Sequence, residues 1–79
     1  MALFIEINKV EEDSEEALYT FCTSLGNNGK VSIDKKSGEC FIIEEPENDK
    51  ESKLAIRVMI KLNQHWKKGE FPEETCWAS

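Results

Sequence analysis

Residues 50–68 carry the longest amphipathic pattern in the chain, and this pattern limits the fold more than any other feature. At about 100° per residue the apolar side chains collect on one broad helical face. That face holds Leu54, Ala55, Val58, Met59, Leu62 and Trp66, is widened by Ile56 and Ile60, and lies opposite Arg57, Lys61, Gln64 and Lys68. Such a helix needs an apolar surface to cover, and the rest of the chain has to supply it.

The predicted helix has recognisable ends. Asn48 or Asp49 is expected to cap its N-terminus, with Glu51 completing a capping box in the first case. Gly69 is the expected residue after its C-terminal cap, and Pro72 follows.

Much of the remaining sequence has the alternation and the β-formers of strands. Residues 2–10 predict a strand, and residues 30–43 predict a hairpin with Gly38 at the left-handed position of its turn. Pro46 is expected to end the second strand of that hairpin. Residues 40–43 are apolar on both faces, so we expect this strand to be covered on both sides. The acidic run of residues 11–16 is expected to be a loop or a connection between two strands.

Residues 15–25 fit two structures. A helix would align Leu18, Phe21, Cys22 and Leu25, whereas a strand would place Ala17, Tyr19, Phe21 and Thr23 on one face. The β-formers of residues 19–23 and the Gly26–Gly29 turn favour the strand.

These elements predict an α+β fold: an antiparallel meander of about four strands with one C-terminal helix packed on one face. If residues 15–25 are helical instead, the order becomes β-α-β-β-α. With 79 residues the chain is expected to be a single domain, in which residues 69–79 form an extended C-terminal tail. The helix leaves a second sheet face, which Phe4, Val10 and either Cys40 and Ile42 or Phe41 and Ile43 could line. We expect the tail, a second copy of the chain or another protein to cover it.

Two stretches resemble a group of short bacterial proteins of no known function. One is the hairpin pattern G-x-V-x-I-D-K-x-x-G-E, from Gly29 to Glu39, which Tyr19-x-Phe21 precedes. The other is the run W-x-x-G-E-F-P-E, from Trp66 to Glu73. The resemblance covers roughly residues 17–79. It implies a bacterial source, a stand-alone small protein and a strand at Tyr19, and it brings no activity, cofactor or catalytic residue.

The charge of the chain makes some classes of partner unfavourable, and its cysteine content indicates a cellular compartment. The net charge is −6 and the isoelectric point about 4.7, which opposes general binding to nucleic acid or anionic membranes. Residues 2–5 lack the basic flank of a signal peptide, and no apolar run is long enough to span a membrane. The odd set Cys22, Cys40 and Cys76 is typical of reduced thiols, so a cytoplasmic location is expected.

Chemistry-bearing residues are sparse. His65 is the sole histidine, no neighbour in sequence completes a triad around it, and no cysteine or histidine spacing suits a metal. The glycines form no phosphate-binding loop. We therefore expect no catalytic, cofactor-binding or metal-binding residues, and we expect the protein not to be an enzyme.

The charge pattern favours binding to another protein. Residues 1–24 hold six acidic side chains and one basic one, whereas residues 50–79 hold six basic and four acidic ones. The residues expected to contact a partner, which we predict to be basic, are Glu11, Glu12, Asp13, Glu15, Glu16 and Trp77. The leading hypothesis is a small acidic non-enzymatic binding module, such as an inhibitor or immunity-type protein that masks a basic site. The alternatives are a self-associating structural or regulatory protein, with a homodimer through the open face and Trp77, and a weak nucleic-acid contact through the basic helix face.

Overall fold

The computed structural model describes residues 4–24, 26–47 and 52–78. It contains a five-stranded sheet and one helix. In chain order the elements are β1 (Phe4–Glu12), β2 (Glu16–Thr23), β3 (Asn28–Asp34), β4 (Cys40–Glu44), α1 (Lys53–Lys67) and β5 (Glu74–Ala78). The predicted α+β fold is confirmed, and part of the expected tail forms a fifth strand.

The strands lie in the order β4-β3-β2-β1-β5, and every neighbouring pair is antiparallel. The first four form the predicted meander. The chain then passes from the β4 edge to the β5 edge through α1, which packs against β1, β3, β4 and β5 on one face of the sheet. One sheet face is therefore covered and the other is open.

The core lies between α1 and the covered face. Alternate residues of the central strands supply it, as expected for a strand with one buried side. Its buried members are Ile5, Ile7, Ala17, Tyr19, Phe21, Val31, Ile33, Ala55, Val58 and Leu62. Among the described residues of α1, Ala55, Val58 and Leu62 are the buried ones, so the centre of its apolar stripe faces the sheet as predicted. Ile56 and Ile60, which were expected to widen this face, are 45% and 43% exposed.

Residues 16–23 are a strand, which confirms the favoured prediction and excludes the helical alternative for this segment. Ala17, Tyr19 and Phe21 are at most 1% exposed, whereas the residues between them are half-buried. This period of two matches a strand, and a helix would have turned Leu18 and Cys22 toward the same side as Phe21.

The acidic run is not wholly a loop. Glu11 and Glu12 belong to β1 and Glu16 to β2, so the connection between the strands is only residues 13–15. The pairing of β1 with β2 continues because a bulge between Lys9 and Glu11 adjusts the register. The loop prediction was wrong at its ends because strand pairing outweighed local charge repulsion.

The prediction that residues 40–43 are covered on both sides was also wrong. Phe41 is 49% exposed and Ile43 is 58% exposed. The strand lies at the edge of the sheet and has α1 on one side only, so Phe41 and Ile43 are the pair that lines the open face.

The helix is shorter than the predicted residues 50–68. The expected caps Asn48 and Asp49 lie outside the described residues, and Ser52 occupies the N-cap position without a side-chain capping bond. At the other end Gly69 has a φ of 73°, which confirms its predicted place after the C-cap. Gly38 likewise has a φ of 75°, as predicted for the β3–β4 turn.

Within the described ranges, no helix has the length and the hydropathy needed to cross a bilayer.

Candidate partner-binding surface

The five predicted acidic contact residues lie together at one corner of the sheet, where the β1–β2 turn meets the β3–β4 turn. We call Glu11, Glu12, Asp13, Glu15 and Glu16 the acidic corner. The two turns are joined by the Lys35 N–H, which donates to the Glu15 carbonyl at 2.8 Å. The corner is therefore one structure built from both hairpins.

Glu12 is held by two lysines. Lys9 Nζ donates to its Oε1 and Lys35 Nζ to its Oε2, each at 2.6 Å. The hydrogen bond from Lys35, followed by the one from Lys9, lowers the pKa of Glu12 to about 2. Its charge is therefore neutralised within the chain, and Glu12 braces the corner rather than offering a free charge.

Asp13 shapes the turn. One oxygen of its carboxylate accepts the backbone N–H groups of Glu15 and Glu16, at 2.7 and 2.8 Å. These bonds, the one from Glu16 first, lower the pKa of Asp13 and keep it ionised near neutral pH. The arrangement is an Asx-type turn, which fixes the direction of the residues that follow it.

No other described residue engages the side chains of Glu11, Glu15 and Glu16. All three are exposed, and none forms an ion pair with another described residue. A shallow depression of about 340 Å³ lies beside two of them, and it is lined by Glu11, Glu12, Asp13, Glu16 and Leu18. The corner thus presents three uncompensated carboxylates on a backbone that Glu12 and Asp13 hold in place.

The loop after α1 supports the corner from behind. Lys9 Nζ also donates to the Phe71 carbonyl at 2.9 Å, and Lys35 Nζ lies 5.1 Å from the centre of the Phe71 ring. The Tyr19 hydroxyl donates to the Pro72 carbonyl at 2.8 Å. Glu73, whose side chain is 86% exposed, adds a further carboxylate beside Lys9. The hairpin of residues 29–39 and the run of residues 66–73 therefore meet at this corner.

Sequence reasoning did not identify Lys9, Lys35, Phe71 or Pro72 as parts of the site. These residues are brought together from positions up to 62 apart in the chain. The sequence carries no local signal for these contacts, because they form only once the strands have paired.

Trp77 lies elsewhere. It belongs to β5, where it is opposite Ile5 of β1, and it is half-buried against the core. Its indole N–H is buried and has no hydrogen-bond partner. In the isolated chain the ring therefore packs against the chain's own core, well separated in the sheet register from the β1–β2 turn.

A second polar cluster ties the last turn of α1 to β5. His65 Nδ1 lies 3.0 Å from Glu70 Oε1, and His65 Nε2 lies 2.9 Å from Thr75 Oγ1. The contact with His65 lowers the pKa of Glu70. A carboxylate, an imidazole and a hydroxyl thus stand in one hydrogen-bonded row, although no such row was predicted from the sequence around His65.

The described residues contain no group of three or more histidine, cysteine or acidic side chains arranged to hold a metal ion. Cys22, Cys40 and Cys76 carry free thiols.

Comparison of the chain with protein-family models, with curated proteins and with solved structures finds no match. The function has to be inferred from the geometry and charge of the molecule itself.

Proposed function

We propose that this protein is a small, non-enzymatic binding module whose acidic corner covers a basic surface of a partner protein. The observation that carries the proposal is that the carboxylates of the corner have two different roles. Two carboxylates are used to fix the backbone, and three others are left exposed and uncompensated. The most specific form of the proposal is an inhibitor or immunity-type protein that masks a basic site.

A fixed group of like charges favours association in two ways. It raises the encounter rate with a basic surface through long-range attraction, by roughly 10- to 1,000-fold at low salt. It also lowers the conformational entropy lost on binding, because Asp13 and Glu12 already hold the backbone of the turn in place. The brace formed by Glu12, Lys9 and Lys35 supports this reading because it leaves the corner rigid before binding.

The row of Glu70, His65 and Thr75 is assigned a structural role in this proposal. Both nitrogens of the imidazole are engaged within the chain. Thr75 lies opposite Ile7, a buried core residue, and so faces α1 rather than solvent on the open face. The proposal also includes a cytoplasmic location, which the free thiols support.

The test compares two variants that remove equal charge from opposite ends of the sheet. The first carries Glu11→Gln, Glu15→Gln and Glu16→Gln at the corner. The matched control carries Glu44→Gln, Glu45→Gln and Glu47→Gln near the end of β4, where the side chains are also exposed. The probe is the basic protein that co-purifies with the wild-type chain from its native host, and association rates are measured by stopped flow.

We expect the corner variant to associate about tenfold or more slowly than wild type at low salt, and the control to change less than about twofold. We also expect the wild-type rate to fall as salt rises from about 50 mM to about 500 mM, since screening weakens the attraction. Equal loss in both variants, or a rate independent of salt, would overturn the proposal.

A further inference from the structure

The outer edge of β4 is the most apolar exposed region of the described chain. Six large hydrophobic side chains among the described residues are substantially exposed, and four of them border this edge. Phe41 and Ile43 lie on the open face of β4, while Ile56 and Ile60 line the flank of α1 beside it. A monomeric surface seldom gathers its exposed apolar residues in this way without a partner.

The backbone of β4 is also available. The Asp34 N–H donates to the Glu39 carbonyl at 2.8 Å, and the register continues from this pair to Ser32 opposite Phe41. Because bonded and non-bonded pairs alternate along an antiparallel ladder, the N–H and C=O groups of Cys40 and Ile42 point away from β3. These groups have no backbone partner among the described residues, and they form a short row on the outer edge.

Little in the sequence of β4 protects this edge. Residues 40–43 contain no proline and no charged residue, which are the usual means of preventing edge-to-edge pairing, and Glu44 at the end of β4 is the single charged residue of the strand. The register shift opposite Lys30 and Val31 interrupts the strand only at its end, so residues 40–42 remain regular. The outer edge of β4 therefore has the properties of an edge that can pair with another strand.

We propose that β4 pairs with β4 of a second copy of this chain, antiparallel and about a twofold axis at Phe41, so that only the regular residues 40–42 are used. Because the backbone groups of Cys40 and Ile42 point outward, Cys40 of each copy exchanges hydrogen bonds with Ile42 of the other. The two Phe41 side chains then lie opposite each other on the open face, and the two sheets join into one of ten strands.

A second copy fits this edge better than a single extended peptide does. The exposed apolar residues lie in two layers, one in the sheet and one in the helix. A groove of about 480 Å³ separates α1 from β4, and it is lined by Gly38, Cys40, Ile56, Met59, Ile60, Asn63, Gln64 and Lys67. A peptide strand would extend the sheet layer alone, whereas a second copy brings its own helix to cover Ile56 and Ile60.

The available area suits a weak dimer. The four side chains are 43–58% exposed. With about 150–250 Å² for a large side chain, they offer on the order of 400 Å² of apolar surface per copy. A standard interface buries about 800 Å² per partner, so these residues would supply about half of it. The rest would come from the strand backbone and the groove, and we expect a dissociation constant of roughly tens of micromolar.

The inference goes beyond the proposed function and uses a different surface. Each copy carries a net charge of −6, so the two copies repel each other. Salt screens this repulsion, so the dimer is expected not to weaken as salt rises. Binding of a basic partner at the acidic corner has the opposite salt dependence, which makes the two proposals separable.

The experiment is sedimentation equilibrium of the full chain over about 5 to 500 µM. The variants Phe41→Lys and Ile60→Lys place a charge in each layer of the edge, and Val10→Lys is the matched control because Val10 is 51% exposed on β1, away from the edge. Circular dichroism establishes that each variant is folded. In parallel, amide hydrogen exchange of Cys40 and Ile42 is compared at low and high protein concentration.

We expect a monomer–dimer equilibrium in the wild type, weakened about tenfold by each edge substitution and by less than about twofold in the control. The amides of Cys40 and Ile42 should gain protection as the dimer forms. A wild-type chain that stays monomeric throughout, a dimer indifferent to both edge substitutions, or equal disruption by Val10→Lys would each overturn the proposal.

Discussion

Gly38 lies directly against the indole ring of Trp66. A Cβ atom at Gly38 would come within 2.6 Å of Cδ2 and Cε3 of that ring. The indole also donates to the Lys35 carbonyl at 2.8 Å, so Trp66 contacts both ends of the β3–β4 turn. This contact fastens the C-terminal half of α1 to the hairpin that supports the acidic corner.

The substitution Gly38→Ala should destabilise the protein by about 2–4 kcal/mol, because it combines a left-handed backbone with a side chain that overlaps Trp66. Gly69→Ala is the matched control. Gly69 has a similar φ of 73°, but a Cβ there would meet no atom within 4 Å. That substitution should cost only about 1 kcal/mol.

Urea unfolding followed by tryptophan fluorescence measures both free energies. The difference between the two variants isolates the clash from the backbone strain that they share. If both variants lose the same stability, then Trp66 adjusts its position easily and the contact does not fasten the helix.

The sequence predicted the elements of this fold well because local signals decide them. The apolar stripe of α1, the left-handed Gly38 and the alternation around Tyr19 each depend on residues close in the chain. The fifth strand was missed since Glu74–Ala78 has little pattern of its own and becomes a strand only by pairing with β1. The local sequence pattern of a segment does not show which distant strand it will pair with.

The acidic corner was predicted in outline only. A run of carboxylates is visible in sequence, but their separate roles are not. Glu12 is neutralised by Lys9 and by Lys35, which lies 23 positions away, and its neighbour Glu11 remains unpaired among the described residues. Which member of a charged run meets a lysine depends on strand register, and a shift of one residue would exchange their roles.

Glu12 should make the stability of the protein depend on pH. Its pKa is about 2 in the folded chain, below the ordinary value of 4.5. The unfolded state therefore binds the proton more readily, so this contribution is present above about pH 4.5 and is lost as the pH falls toward 2. We expect Glu12→Gln to be less stable than wild type near pH 7 and the gap to close near pH 2.

Urea midpoints at several pH values measure this gap. The control is Glu11→Gln, which removes a neighbouring carboxylate that lacks a described ion-pair partner. It should leave the midpoint near pH 7 almost unchanged. A gap of equal size for both variants would contradict the bracing role of Glu12.

The pKa of the Tyr19 hydroxyl measures how well this group is shielded from water at the base of the acidic corner. Burial is the main cause that raises the pKa of its hydroxyl to about 12. Tyr19 is the only tyrosine in the chain, so the ultraviolet absorbance of tyrosinate reports this group alone. We expect its midpoint to lie near pH 12 in the folded protein and near pH 10 in urea.

The variant Tyr19→Phe should lose about 1–2 kcal/mol because the Pro72 carbonyl loses its donor. The raised pKa favours the protonated form in the folded state. The stability that the hydroxyl contributes is thus full below about pH 10 and lost as the pH rises through about 12. A folded-state midpoint near pH 10 would show that the hydroxyl is open to water and does not hold the loop.

The three thiols should differ in reactivity. Cys40 is half-buried beside α1, its Sγ lies 3.8 Å from the Met59 carbonyl, and burial raises its pKa to about 11. Near pH 8 only about one in 1,000 of its molecules is a thiolate, the reactive form. Cys22 and Cys76 both lie opposite Glu6, on the open side of the sheet. We expect a thiol reagent to modify these two at least about tenfold faster than Cys40.

Mass spectrometry of timed digests measures the three rates, and Cys40→Ser should leave the fast phase intact. Modification of Cys40 in the native protein at the rate found in urea would mean that α1 does not shield this edge.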